Sequence, residues 1–244
     1  MSLERRLLAW NEGRGNVEAL YRAIAEHPDW RVLEDADGGF APLVDDDGHA
    51  WLTLFHNDDA LYEFKQATGH EPEKVGRTPG YVAFKTMLEG VHGVQLDPHT
   101  PLAMHFTLEA QGDDLKRWGN AVFVEQVLAD PGMVDEPFKV YRNFKGYQIV
   151  VVKDADGKET VGMAPDSKNR SLVAVFTAND TAQAYVKRMG GDLGGSPRVL
   201  HFSGDKLFRT LQEREMDGIV FNCSGPPPAR AFQPAFADKV LQDG

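Results

Sequence analysis

The sequence predicts an α+β fold built as two tandem, similar domains, each a mixed β-sheet covered by helices, and three observations carry that prediction. A block of sequence recurs: residues 50–64 and 171–185 align so that Phe55 matches Phe176, Asp59 matches Asp180 and Phe64 matches Tyr185, all 121 positions apart. Downstream of each block comes a second matched pair, Gly93-Val-Gln-Leu-Asp97-Pro98 and Gly218-Ile-Val-Phe-Asn222-Cys223. A shared order at similar spacing is the mark of a duplicated module. Short apolar runs alternate with Asp/Gly clusters and with helical patterns, which argues for hairpins and a sheet that is not wholly parallel. The length, 244 residues, fits one or two domains, and the repeat decides for two, at 1–132 and 133–244.

In the first domain, residues 3–9 and 16–27 read as helices. Val17, Leu20, Tyr21 and Ile24 follow the i, i+3, i+4, i+7 spacing, Asn16 stands as N-cap, and the residue before Pro28 ends the helix. Trp30–Leu33, Phe40–Val44 and Trp51–Phe55 read as strands. They are joined by Asp35-Ala-Asp-Gly-Gly39 and Asp45-Asp-Asp-Gly48, where Gly and Asp suit tight turns. Asn57 or Asp58 caps a helix over 58–67. Tyr81–Phe84 then reads as a strand, 85–91 as a helix, and Val94–Leu96 and Met104–Leu108 as strands. Residues 113–129 read as an amphipathic helix that tolerates Gly119.

Residues 130–137 read as a linker, and the grammar then repeats. Phe138–Tyr141, Gln148–Val152, Thr160–Met163 and Leu172–Phe176 are expected strands, with a turn at Asp154-Ala-Asp-Gly157. Asn179 or Asp180 starts a helix that runs to the glycines at 190–191. A strand at Val199–Phe202, a helix over 205–214 and a strand at Ile219–Phe221 follow. The prolines at 226–228 form an extended stop, and a terminal helix spans 234–241.

Composition narrows the class. An apolar content of 42% and 10% aromatics are ordinary for a soluble globular protein. No apolar run reaches the roughly 18–20 residues that span a bilayer, and the N-terminus lacks a signal-peptide core. Cys223 is the single cysteine, so a disulfide within the chain is excluded. The expectation is a cytoplasmic protein with no membrane association. The charge divides unevenly. Residues 1–137 hold 11 Lys and Arg against 25 Asp and Glu, a net −14, while residues 138–244 hold 15 against 12, a net +3. The total of −11 opposes nucleic-acid binding, because a phosphate backbone repels an acidic surface. It leaves solubility, a basic partner at the first half, or a homo-oligomer docking unlike halves.

The chain resembles the SseB family in its N-terminal domain. The residues carrying the resemblance are Val175-Phe176-Thr177, Asn179-Asp180 and Gly218-Ile-Val-Phe-Asn222. Leu54-Phe55, Asp58-Asp59 and Gly93-Val-Gln-Leu-Asp97-Pro98 match more loosely. Leu3-Glu4 and Leu20-Tyr21-Arg22-Ala23 are similar to the family's lead-in helix. The family's Asn-Pro becomes Asp97-Pro98 in one copy and Asn222-Cys223 in the other. The resemblance implies two divergent copies along nearly the whole chain, no established enzymatic activity, and secretion-related or accessory roles.

Catalytic and ligand motifs are sparse. A cysteine nucleophile needs a neighbouring base, and Cys223 with His201 is the pair on offer. A small residue standing where the family has proline explains Cys223 equally well. No metal site is assigned: His49, His56, Asp58, Asp59, Asp97, His99 and His105 lack H-E-x-x-H spacing. Of these, His56, Asp58, Asp97 and His99 come nearest to a ligand set. The glycines at 190–195 are not followed by Lys-Ser/Thr, so no phosphate loop and no cofactor is expected. Trp51, Trp118 and Phe232 are candidate anchors for a protein partner, since aromatics dominate binding hot spots; the first two also fit core patterns. The expectation is therefore a cofactor-free, non-enzymatic accessory or regulatory protein that docks a protein partner. The alternatives are an immunity-type protein masking a basic toxin with its acidic half, and an enzyme using Cys223 or an Asp/His metal site.

Overall fold

The structure, a computed structural model, describes residues 2–153, 156–165, 171–189, 193, 195–213, 216–224 and 229–244. The prolines at 226–228, most of the glycine-rich 190–195 segment and the start of the turn at Asp154 lie outside the described residues. The chain forms two compact units, Met1–Val122 and Phe123–Gly244.

The first unit contains α1 (Leu3–Asn11), α2 (Val17–Glu26), β1 (Trp30–Glu34), β2 (Leu43–Val44), β3 (Ala50–Phe55), α3 (Asp58–Thr68), β4 (Lys74–Thr78), α4 (Gly80–Thr86), β5 (Gly93–Leu96), β6 (Met104–Thr107) and the start of α5 (Leu108–Ala129). The second contains the rest of α5, a 3-10 turn at Pro131–Met133, α6 (Pro137–Asn143), β7 (Tyr147–Lys153), β8 (Glu159–Val161), β9 (Met163–Pro165), β10 (Ser171–Phe176), α7 (Asn179–Met189), β11 (Ser196–Phe202), α8 (Gly204–Gln212), β12 (Ile219–Phe221), β13 (Arg230–Phe232) and α9 (Ala235–Asp243).

The two sheets share one topology. The first runs β4-β1-β3-β5-β6, with β2 against β3; the second runs β11-β7-β10-β12-β13, with β8 on β7 and β9 on β10. In each, one pair is parallel: β3 with β5, setting Leu54 opposite Leu96, and β10 with β12, setting Val175 opposite Phe221. The other pairings are antiparallel. The α+β class and the two similar domains expected from the sequence are therefore present.

Each domain buries the repeated aromatic pair under the helix that follows it. Phe55 and Phe64 lie 5.2 Å apart with Leu33, Ala60 and Leu61 under α3. Phe176 and Tyr185 lie 5.3 Å apart with Val150, Val152, Ala174 and Ala182 under α7. Burying one such side chain contributes roughly 1.5–3 kcal/mol. The other face of the first sheet carries Trp30, whose indole N–H donates to the Ile24 carbonyl of α2 at 3.1 Å.

Five short segments differ from the sequence reading. Tyr81–Phe84 lies in helix α4 and Phe138–Tyr141 in helix α6. A four-residue segment has no decisive period, and the deciding signals are the prolines: Pro79 sits at the N-cap of α4 and Pro137 at the first turn of α6, where its missing N–H costs nothing. Residues 85–91 are not a separate helix, because α4 closes at Thr86. Strands β4 and β13 were not expected. Lys74-Val-Gly-Arg-Thr78 is charged and β13 is three residues long, which is how edge strands commonly read.

Glycine places α4 and α8. The N–H of Gly80 donates to the His27 carbonyl at 2.8 Å and that of Gly204 to the Phe144 carbonyl at 2.6 Å. A Cβ at Gly80 would run into the Ile24 carbonyl, and one at Gly204 into those of Tyr141 and Arg142. Gly119 of α5 similarly lets the helix pass close to Phe84. Among the described residues no helix is long and apolar enough to cross a membrane.

Candidate functional site

The carboxyl ends of the two parallel strands are where buried polar side chains gather in each domain. In the first, the chain leaves β5 through Asp97, a fully buried residue held in the left-handed region at φ 46. Asp97 Oδ1 accepts the backbone N–H of His56 at 2.8 Å, and Oδ2 contacts His56 Nδ1 at 2.7 Å. On the far side of the ring, Nε2 lies 2.8 Å from Asn57 Nδ2 and 3.5 Å from Glu4 Oε1 of α1. Asn57 meanwhile caps α3, its Oδ1 accepting from the Ala60 N–H at 2.8 Å. His27 Nε2 donates to the His56 carbonyl at 3.1 Å. The hydrogen bond to Asp97 holds the His56 pKa above its ordinary value, with a further contribution from Glu4, against an opposing effect of burial. Burial chiefly lowers that of His27.

The second domain builds the same joint from different side chains. Asn222, fully buried at φ 49, takes the place of Asp97, and its Oδ1 accepts the Thr177 N–H at 3.1 Å. The Thr177 hydroxyl donates to Glu125 Oε1 at 2.5 Å, and Asn222 Nδ2 reaches the same oxygen at 3.3 Å. Glu125 precedes Thr177 by the interval that separates Glu4 from His56, and both intervals repeat with the offset of 121 found for Phe55 and Phe176. The buried Leu7 and Leu128 follow the same offset. The sequence reading missed Glu4 and Glu125. Extending the 121-residue offset to the first helix is the signal that finds them.

A histidine oriented by a buried carboxylate is a common feature of catalytic bases. Here, however, Nε2 faces Asn57 and Glu4 rather than a hydroxyl or thiol. The four nearest metal candidates do not converge. His56 and Asp97 join each other, Asp58 pairs with Arg31 at 2.7 Å, and the His99 ring lies 5.9 Å from that of Phe64. Cys223 and His201 are not a pair. Cys223 follows β12 while His201 lies on β11, with β7 and β10 between, a separation of roughly 14 Å at the usual strand spacing. The Cys223 thiol packs against the core under α7, and burial raises its pKa, which disfavours the thiolate.

Ligand-type atoms of Asp45, Asp47 and His49 come within 4.8 Å of one another at the tip of the β2–β3 hairpin. Asp45 already serves the turn. It accepts from Trp51 Nε1 at 2.9 Å and from the His49 N–H at 2.8 Å, which together lower its pKa to about 2, and also from the Asp47 N–H at 3.0 Å.

Of the three aromatic anchors, two turn inward. Trp51 is 8% exposed and tied to Asp45; Trp118 is 2% exposed and donates to Glu18 at 3.1 Å. Neither presents an indole face to a partner. Phe232 stacks on Phe236 at 4.0 Å and lines an open groove of ≈ 310 Å³ whose walls include Phe138 and Tyr141 of α6. Lys239 is the one charged side chain among the described residues lining it.

No family model and no curated protein matches this chain. Among solved structures it is similar to Anabaena Tic22 (protein transport), at 13% identity and a TM-score of 0.24, over 81% of this chain and 87% of that one, a level of likeness on which no functional argument is built.

Proposed function

We propose that this chain is a non-enzymatic, cytoplasmic accessory or regulatory protein with two SseB-like domains, and that it docks a protein partner through the second domain. The observation that carries the reading is the groove between α6 and α9. Phe138, Phe232 and Phe236 are partly exposed along its walls, over the buried Tyr141. Such a cleft accepts a large apolar side chain, the kind of anchor that dominates protein interfaces. Lys239 at its edge suits a carboxylate beside that anchor. The occupant is thus a protein segment carrying an apolar anchor next to an acidic residue. The test is capture of a partner by the full chain and by Phe232→Ser and Lys239→Glu variants, with folding checked by circular dichroism. A stoichiometric partner retained at least tenfold less by both variants supports the reading. A partner held equally by all three, or none at all, ends it.

The charge distribution favours one second reading. The net −14 over residues 1–137 suits masking of a basic toxin or nuclease, with association steered by opposite charge. Its test is a salt series: an association rate that ignores ionic strength rules it out.

A further inference from the structure

The joint at His56 has two arrangements of hydrogen bonds, and they differ in what holds the N-terminal helix. A neutral imidazole with its proton on Nδ1 donates to Asp97, and its bare Nε2 accepts from the Asn57 side-chain N–H, the 2.8 Å contact observed. In that state Glu4 Oε1, at 3.5 Å, meets a lone pair. A doubly protonated ring keeps the Asp97 bond but turns Nε2 into a donor, which Asn57 Nδ2 cannot accept and the Glu4 carboxylate can. Asn57 keeps its second task, capping α3 through Oδ1, in either case.

We propose that His56 is a proton-operated latch on α1: protonation draws Glu4 onto Nε2 and tightens the helix against the first domain, and deprotonation releases that contact. The charged and titratable groups facing the ring are Glu4 from α1, Asp97 after β5, and His27 at the end of α2. Asp58 of α3 is engaged with Arg31. Glu4 remains half exposed, so the contact modulates a helix that the buried Leu7 already anchors. The elevated His56 titration places the change above pH 6.5. The second domain supplies a control within the same molecule. There Glu125 is held by Thr177 and Asn222, neither of which titrates near neutrality.

The test is amide hydrogen exchange by NMR on the full chain at pH 6 and pH 9. The protection of residues 7–11 in α1 is divided by that of residues 123–129 in α5, which cancels the intrinsic pH dependence of exchange. The wild-type ratio is expected to fall about threefold between the two pH values, and the ratio for Glu4→Gln to stay flat, since the amide carries no charge for the imidazolium to attract. A flat wild-type ratio overturns the latch, as does an equal fall in Glu4→Gln. The His56 ring signal, followed in the same samples, is expected to titrate about half a pH lower in Glu4→Gln, in line with a partly exposed ion pair.

Discussion

Asp97 and Asn222 hold the same place in their two domains. Each is fully buried and left-handed, at φ 46 and φ 49. Each donates its backbone N–H to the neighbouring parallel strand, to Leu54 and Val175, both at 2.9 Å. Each turns a side-chain oxygen back onto the N–H of the residue just past the end of that strand, His56 or Thr177. Asn and Asp tolerate this backbone and carry the short acceptor it needs. The chemistry then diverges: a carboxylate meets a histidine in one domain, and an amide meets a threonine and a glutamate in the other.

The first prediction concerns Asp97. Asp97→Ala removes the acceptor of a buried N–H and leaves a Cβ residue in the left-handed region without a local hydrogen bond, at a cost of roughly 3 kcal/mol. Asp97→Asn keeps the acceptor and the backbone preference but loses the charge beside His56, at about 1 kcal/mol. Urea denaturation of both variants at pH 6 checks the order; equal losses would mean that the backbone acceptor is not what Asp97 supplies.

The two histidines give opposite pH slopes. His56 has a folded pKa raised above 6.5, so its contribution is fully present below pH 6.5 and is lost as pH rises through the folded value. His27 has a folded pKa lowered by burial, so the fold binds fewer protons there and loses stability as pH falls below 6.5. His56→Gln is therefore expected to flatten the stability profile above pH 6.5, and His27→Gln to flatten it below. Chemical denaturation of each variant from pH 5 to pH 9 separates them.

Phe55 and Phe176, their helices and the strand pairs at Gly93 and Gly218 were legible because burial on a sheet face leaves an apolar signature at fixed spacing. The short helices α4 and α6 were not, since four residues carry no period and only Pro79 and Pro137 mark the helix starts. In the site, Asp97 and Asn222 stood out as a matched pair, but their partners did not. Glu4 and His56 are 52 positions apart and meet only through the tertiary fold. Glu125 lies in a helix whose pattern gives no reason for a buried carboxylate. Trp51 and Trp118 illustrate the converse. An indole N–H can be satisfied by a single carboxylate, Asp45 or Glu18, so a tryptophan near acidic residues turns inward as readily as outward.

Gly80 and Gly204 provide a matched structural test. Each begins a helix packed against backbone carbonyls of an earlier helix, α2 for Gly80 and α6 for Gly204, where a methyl group has no room. Gly80→Ala and Gly204→Ala are each expected to cost about 1–3 kcal/mol, the usual penalty for overpacking. This reverses the sign expected from helix propensity, by which alanine would gain roughly 1 kcal/mol over glycine. Thermal denaturation decides between the two: a variant more stable than wild type would show that the helices slide apart without cost.

Exchanging the acceptors tests why the two joints differ. Asn222→Asp gives the second domain the first domain's residue without its histidine. The new carboxylate would lie beside Glu125 Oε1, where Asn222 Nδ2 now sits at 3.3 Å, fully buried. Two carboxylates that close cannot both ionise, so one is forced to keep its proton and its folded pKa rises. The folded state then binds the extra proton more tightly than the unfolded chain does, and stability falls as pH climbs from about 4 toward neutrality. At pH 7 the loss is expected to reach about 3 kcal/mol or more, and most of it should be regained at pH 4 relative to wild type under the same conditions. Urea titrations at pH 4, 5.5 and 7 measure this directly. A pH-independent loss would point to geometry alone. The expected slope would mean that Asn222 is an amide because Glu125 is its neighbour, as Asp97 is an acid because His56 is.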